Sequence, residues 1–171
     1  MNVVLVGYRG SGKSTIGRLL ASQLWRPFVD LDQQIVAEAG RPISEIFATQ
    51  GENTFRDLES AALGRALAAD EQILAVGGGA VVRPANQQLL KQENVKVIYL
   101  RCEAPELLRR IQADPASGAM RPSLTAHGGG IEEIRALLEQ REPLYRALCQ
   151  AELDVTNLTP QEAVGRLARM I

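Results

Sequence analysis

Histidine and cysteine are scarce in this sequence, and their scarcity removes several kinds of functional site. The chain has one histidine, His127, and two cysteines, Cys102 and Cys149, which lie far apart. A single histidine excludes a metal site built from a histidine cluster and leaves a Ser-His-Asp triad only one candidate base. Two distant cysteines form no CxxC motif and do not suggest a disulfide framework. We therefore expect a protein of the reducing cytosol.

Long apolar runs and an excess of charge are also absent. No apolar run reaches the roughly 18 residues that span a membrane, and the strand-like run Val3–Val6 stands where a signal peptide would begin. The 19 basic and 20 acidic residues give a net charge of −1, which argues against broad nucleic-acid binding. These features predict a cytoplasmic protein with neither a membrane nor a nucleic acid as partner.

The apolar residues that are present follow the pattern of an α/β protein. A chain of 171 residues favours one domain, so residues 1–171 are expected to fold as one unit. Short apolar runs predict strands at 3–6, 28–29, 73–76, 95–100 and 153–155. Amphipathic segments between them predict helices at 16–24, 54–69, 104–111, 131–148 and 160–170. Because continuous apolar runs suit strands buried on both faces, the alternation predicts a doubly wound parallel sheet.

The connection at about 112–130 is too long and too rich in glycine and proline for an ordinary loop. Arg121 lies in its middle, and Gly128–Gly130 lie at its end. Long connections in compact domains are usually lids or binding loops, and a lid suits chemistry that must exclude water. We predict a mobile lid here, with a plain surface loop as the alternative.

A phosphate-binding motif follows the first predicted strand. Residues Gly7–Ser14 fit the pattern GxxxxGK[ST], whose backbone N–H groups curl around an anion. In such a loop Lys13 reaches the β- and γ-phosphates, Ser14 binds Mg²⁺ through its hydroxyl, and the next helix directs its positive end at the same phosphates. Because a strand pattern precedes the motif and a helix pattern follows it, the sequence predicts a nucleoside-triphosphate site.

Two motifs that would define the class of nucleotide protein are missing. No Asn-Lys-x-Asp is present to read guanine, and the runs at 73–76 and 95–100 do not end in the usual Mg²⁺-assisting aspartate. Asp30 and Asp32 can fill this gap, since residues two apart on an extended segment point to the same side. One could hold the water shell of Mg²⁺ and the other could accept a proton from an attacking hydroxyl. The alternative is one helix-capping and one surface aspartate.

A run of three glycines, Gly77–Gly79, follows the predicted strand at 73–76. Glycines cost backbone entropy, so a triplet at the ligand edge of a sheet indicates close approach of a substrate and backbone N–H donors. A tight turn is the alternative.

In their order and spacing these residues resemble the shikimate kinase family over essentially the whole chain. The resemblance rests on the P-loop at 7–15, Asp30-Leu31-Asp32, the stretch from Gly51 to Glu59, Gly77–Gly79, Arg121-Pro122 and Arg141–Tyr145. It implies a P-loop fold like that of nucleoside monophosphate kinases, with a central five-stranded parallel sheet flanked by helices. It also implies a substrate-binding helical segment at about 31–60, a lid, and a monomer. The implied reaction transfers the γ-phosphoryl of ATP to the 3-hydroxyl of shikimate with Mg²⁺.

The resemblance also implies a role for each matching residue. The catalytic set is Lys13, Asp32 and Arg121. The ATP-binding set is Gly10, Ser11, Gly12, Lys13, Ser14, Thr15, Arg110, Arg121 and Pro160. The shikimate-binding set is Asp32, Arg56, Gly78, Gly79 and Arg141, with Glu59 orienting Arg56. Mg²⁺ is assigned to Ser14 and, through water, to Asp30.

Three residues depart from what relatives show or have no assigned role. Arg9 lies inside the P-loop where many relatives have a small or apolar residue, and Leu158 stands where some relatives have an arginine near the adenine. Trp25 is expected to cover the first helix.

Two other functions stay open: a related kinase for another hydroxylated acid such as gluconate, and a nucleotide-binding regulatory protein without turnover.

Overall fold

A computed structural model describes residues 1–114 and 130–171 of the chain. Its strands are β1 (Asn2–Val6), β2 (Phe28–Asp30), β3 (Ile73–Ala75), β4 (Val95–Arg101) and β5 (Ala151–Asp154). Its helices are α1 (Lys13–Leu24), α2 (Leu31–Ala39), α3 (Ile43–Leu67), α4 (Pro84–Leu90), α5 (Ala104–Ala113), α6 (Ile131–Leu148) and α7 (Pro160–Leu167). A 3₁₀ turn spans Ala80–Val82 between β3 and α4.

The described strands form one five-stranded sheet in the order β2-β3-β1-β4-β5, and every pair is parallel. On the central strand, Val4 pairs with Leu74 of β3 and Val97 of β4. Alternate residues of β1 enter two separate apolar cores, Val4 on one face and Leu5 on the other. Burial on both faces is the reason that β1 reads as a continuous apolar run. The predicted parallel α/β fold is therefore confirmed.

The carboxyl ends of the central strands bring the predicted functional segments to one edge. The P-loop follows β1, the glycine triplet follows β3 closely, and Asp30 ends β2. Open parallel sheets bind ligands at this edge, in the crevice that forms where loops from neighbouring strands lead to helices on opposite faces of the sheet. The topology thus assembles the candidate site from segments that are separated along the chain.

The helices between β2 and β4 differ from the expectation. The helix expected at 54–69 begins at Ile43, and non-helical backbone angles at Gly51 divide it. Helices α2 and α4 were not predicted as separate elements, since both are short and mix polar with apolar residues. No helix in 1–114 or 130–171 combines the length and apolarity needed to cross a membrane.

Two local expectations are wrong. Strand β5 begins at Ala151, earlier than expected, because it is an edge strand whose Glu152 faces solvent and so lacks a continuous apolar run. Trp25 does not cover the first helix. It ends α1 in the left-handed region at φ 54°, and its side chain is 95% exposed.

Candidate active site

The P-loop joins β1 to the amino end of α1. Gly12 has φ 94°, a backbone angle that glycine adopts without strain, and α1 begins at the next residue. The Lys13 ammonium is turned back into the loop, where Nζ donates to the carbonyl oxygens of Gly7 at 2.8 Å and Tyr8 at 2.9 Å. A helix amino end beside a buried ammonium has the charge and the N–H donors to hold an anion, which is what the motif predicts.

Asp30 and Ser14 meet at the edge of the P-loop. Ser14 Oγ donates to Asp30 Oδ2 at 2.5 Å, and the Gln33 amide donates to Asp30 Oδ1 at 3.2 Å. A hydroxyl and a carboxylate in contact are hard oxygen ligands, and Mg²⁺ keeps several waters in such sites. Their chemistry therefore fits a magnesium ion at the edge of the P-loop.

The geometric reason given for pairing Asp30 with Asp32 is wrong. The segment is not extended, because α2 begins at Leu31 and Asp32 lies in its first turn. Asp30 is also the residue that caps this helix, as the alternative interpretation held for one of the two carboxylates. Both aspartates nevertheless line the same cavity. The helix turn, and not strand alternation, brings them to it.

A cavity of about 890 Å³ runs along the carboxyl edge of the sheet. Its lining includes the predicted nucleotide-binding and metal-binding residues Gly10, Gly12, Lys13, Ser14, Thr15, Asp30, Arg110 and Pro160. It also includes two residues predicted to bind shikimate, Asp32 and Gly78, whereas Ser11, Arg56, Gly79 and Arg141 are not part of the lining. Arg9 and Leu158, the two departures from the family pattern, also line it. Burial lowers the pKa of Arg9, while electrostatic interactions with Tyr8, Glu133 and Asp114 oppose that shift.

Arg56 lies directly behind the glycine triplet. Its Nη1 donates to Glu59 Oε2 at 2.7 Å within α3, and its Nη2 approaches Glu52 Oε1 at 3.5 Å. Glu59 is 0% exposed, and burial raises its pKa while the Arg56 guanidinium acts in the opposite direction. Arg56 also occupies the space next to Gly79, where the position of an added Cβ lies 2.7 Å from Nη1.

Arg141 reaches the same glycines from α6. Its Nη1 lies 3.5 Å from the position that a Cβ of Gly78 would take, and its guanidinium lies over the Tyr8 ring at 5.9 Å. The side chain is buried, like that of Arg56. Two buried guanidiniums thus flank one glycine pair, and together they offer a ligand carboxylate two planar sets of charged donors.

Arg110 lies at the other end of the cavity and bonds to two different segments there. Its Nε donates to Glu106 Oε1 at 2.7 Å, and its Nη2 donates to the Val155 carbonyl at 2.8 Å. Bonds from Arg109 and Arg110 lower the pKa of Glu106 to about 2. Arg110 therefore connects α5 to the segment between β5 and α7. Pro160 is the first residue of α7.

Known proteins are similar to this chain over almost its whole length. The family model for shikimate kinase matches residues 9–171. The chain belongs to the shikimate kinase family. A shikimate kinase from Symbiobacterium thermophilum is 39% identical over 167 residues, which cover 98% of this chain and 94% of that protein.

Solved structures of shikimate kinases have the same fold. A shikimate kinase from Acinetobacter baumannii in complex with shikimate matches with a TM-score of 0.91 at 32% identity, over 99% of this chain and 91% of that one. A gluconokinase from Sinorhizobium meliloti matches with a TM-score of 0.59 at 21% identity, over 99% of this chain and 92% of that one. At that identity the gluconokinase shares the fold alone.

Two further observations complete the comparison with the shikimate kinase pattern. Arg121 lies outside residues 1–114 and 130–171, as does most of the expected lid, so both stay predictions. Sequence reasoning missed Glu106, which holds Arg110, and the Tyr145 hydroxyl, which donates to the Gly78 carbonyl at 2.5 Å. The available signals were the spacing of Glu106 and Arg110 on one helix face and the place of Tyr145 one turn after Arg141.

Proposed function

We propose that this chain transfers the γ-phosphoryl group of ATP to the 3-hydroxyl of shikimate, giving shikimate 3-phosphate and ADP. The observation that carries the proposal is the pair of buried guanidiniums, Arg56 and Arg141, on either side of Gly78–Gly79 and next to the P-loop. Shikimate is a small carboxylate that bears hydroxyl groups. A P-loop beside a carboxylate-binding pocket is the arrangement its phosphorylation requires.

In this proposal the substrate is held by its carboxylate and its hydroxyls. Arg56 and Arg141 pair with the carboxylate, since guanidinium forks bind carboxylates through charge-assisted hydrogen bonds. Glu59 keeps Arg56 in place, because their 2.7 Å bond is buried and Glu59 is 0% exposed. The backbone of Gly78 and Gly79 lies against the substrate, and Asp32 binds its hydroxyls from the cavity wall.

The chemical step is a phosphoryl transfer supported by electrostatics. The 3-hydroxyl oxygen attacks the γ-phosphorus, Asp32 accepts the hydroxyl proton, and the bond to the β–γ bridging oxygen breaks to release ADP. Lys13 leaves its resting carbonyls to bind the phosphates, and Arg121 adds positive charge to the transferring group. Ser14 and, through water, Asp30 would hold Mg²⁺, which when bound neutralises charge on the β- and γ-phosphates.

The remaining assignments are inferred with the function. Gly10, Ser11, Gly12 and Thr15 hold the phosphates, and Arg110 and Pro160 flank the adenine. We infer a cytoplasmic monomer with a mobile lid at about 112–130 that acts on small molecules and not on nucleic acid or membrane. The near-neutral charge and the two separated cysteines support this inference.

The test is coupled ADP release from purified protein with ATP and Mg²⁺, measured with shikimate, with gluconate and with neither acid. Release that depends on shikimate alone is the expected result. Release stimulated by gluconate instead would assign the chain to another hydroxy-acid substrate. ATP binding without stimulation by either acid would favour a regulatory protein that does not turn over.

A further inference from the structure

The Tyr145 hydroxyl connects α6 to the glycine triplet. It donates to the Gly78 carbonyl at 2.5 Å, and Tyr145 is 0% exposed, so water does not compete for the bond. Tyr145 lies one helical turn after Arg141, and residues four apart share a helix face. The helix that carries one substrate arginine therefore also holds the backbone of the glycines beside it.

Holding the Gly78 carbonyl also orients the next amide. The peptide between Gly78 and Gly79 is planar and trans, so its carbonyl oxygen and its N–H point in opposite directions. Within the described part of the chain, the Gly79 N–H donates to no other group, whereas Ala80 N–H bonds to the Gly77 carbonyl at 3.0 Å. A donor whose direction is set and which bonds to none of the described residues is suited to a ligand oxygen.

Both guanidiniums pack against this peptide. Arg141 Nη1 is 3.5 Å from the Cβ position of Gly78, and the Arg56 guanidinium fills the Cβ position of Gly79. A shift of the peptide toward either side would therefore displace an arginine. Neither glycine has a side chain of its own to resist such a shift.

We propose that Tyr145 is a positioning residue for the carboxylate subsite, acting through the Gly78–Gly79 peptide. This inference rests on the proposed function and adds to it the residue that holds the subsite in shape. Tyr145 does not touch the substrate; it sets the direction of the Gly79 N–H and the spacing of Arg56 and Arg141.

A neighbouring tyrosine supplies a matched control. The Tyr99 and Tyr145 rings stack with centroids 4.9 Å apart and an angle of 29°. The Tyr99 hydroxyl donates to Glu142 Oε1 at 2.9 Å, away from the glycines. Burial and Glu142 raise the pKa of Tyr99, so its hydroxyl stays a donor at neutral pH. Replacing either tyrosine by phenylalanine removes one phenol hydrogen bond, which is buried for Tyr145 and partly buried for Tyr99, and keeps the ring stack.

The experiment compares Tyr145→Phe and Tyr99→Phe with the wild type for shikimate KM, ATP KM, kcat and melting temperature. For Tyr145→Phe we expect shikimate KM to rise about tenfold, since one lost hydrogen bond corresponds to about one order of magnitude in an equilibrium constant. ATP KM and kcat should stay within about twofold, because a looser subsite weakens ground and transition states alike. Tyr99→Phe should lower the melting temperature comparably but leave shikimate KM unchanged.

A second measurement distinguishes positioning of the carboxylate subsite by Tyr145 from a general loss of packing. If Tyr145 acts through the subsite, the combined variant Tyr145→Phe with Arg141→Lys should raise shikimate KM by less than the product of the two single effects. Multiplicative effects, an unchanged KM in Tyr145→Phe, or an equal rise in Tyr99→Phe would each overturn the inference while leaving the proposed function standing. A wild type without shikimate-dependent ADP release would overturn both.

Discussion

The Arg56 guanidinium occupies the space in which a side chain at Gly79 would lie. An added Cβ would stand 2.7 Å from Nη1 and 2.8 Å from Cζ of Arg56, closer than carbon atoms pack. Arg56 in turn is bonded to the fully buried Glu59 and has little room to move away. The Arg56 side chain, and not the backbone conformation, is therefore the reason for a glycine at position 79, because a φ of −95° is one that other residues adopt.

Gly79→Ala should therefore displace Arg56 without straining the backbone. We expect shikimate KM to rise by about one to two orders of magnitude, equivalent to losing roughly 1–3 kcal/mol of binding. Steady-state kinetics measures the effect. The control is Gly64→Ala in α3, whose added Cβ meets nothing within 4 Å and which should leave KM unchanged. Equal shikimate KM values for the two variants would show that shikimate binding does not depend on the position of Arg56 next to Gly79.

Glu59→Ala should destabilise the fold, because it leaves the buried Arg56 charge without its closest partner. The expected loss is about 3 kcal/mol in the free energy of unfolding, measured by urea denaturation. Glu52→Ala is the control, since the Glu52 side chain is exposed and lies 3.5 Å from Arg56; its loss should be below about 1 kcal/mol. Similar losses in both variants would contradict the importance of burial at Glu59.

Asp32→Asn should reduce kcat by about two to four orders of magnitude, because an amide cannot accept the proton of the attacking hydroxyl. ATP affinity, measured by calorimetry, should change less than about twofold. Asp57→Asn serves as the control, since Asp57 is exposed and pairs with Arg83 at 2.5 Å away from the cavity lining. Retention of wild-type kcat in Asp32→Asn would remove Asp32 as the base.

Removal of Mg²⁺ with a chelator should abolish ADP release, and added Mg²⁺ should restore it. Ser14→Ala should raise the Mg²⁺ concentration for half-maximal rate by about tenfold, since the protein oxygen assigned to bind the ion directly is lost. Ser22→Ala, an exposed position on the same helix, should not. Activity that survives the chelator would exclude the Ser14 and Asp30 assignment.

The contribution of Glu106 to stability should depend on pH in the acid range. Its pKa is about 2 in the folded chain, below the ordinary 4.5, because Arg109 and Arg110 bond to the carboxylate. A lowered pKa stabilises the fold above about pH 4.5, and the contribution is lost as pH falls through about 2.

Urea denaturation from pH 7 to pH 2 tests this dependence. The stability gap between wild type and Glu106→Gln should be full at pH 7, should shrink as the pH falls below about 4.5, and should be lost near pH 2. Glu103→Gln is the control, because the exposed Glu103 lies 3.7 Å from Arg101, and its gap should stay small throughout. A gap for Glu106→Gln that is constant with pH would contradict the assignment.

Much of the fold could be read from local patterns. The strands appear as apolar runs because both faces of the sheet are covered, and the P-loop appears as a motif because its geometry needs glycines and Lys13 at set spacings. Errors fell where local signals are weak or mislead. Asp32 lies on a helix turn and not on a strand. The first residues of β5 were missed because this edge strand is partly exposed and lacks a continuous apolar run.

Local patterns in the sequence were enough to predict the strand segments, the phosphate-binding loop and the kinds of residue available for chemistry. They did not show that Arg56 of α3 and Arg141 of α6 meet at Gly78–Gly79, which the resemblance implied and the folded chain shows, or that the Tyr145 hydroxyl donates to the Gly78 carbonyl. The physical reason is the range of the interactions. Secondary structure follows hydrogen bonds and periodicity among near neighbours, whereas the site depends on packing between helices that lie far apart in the chain.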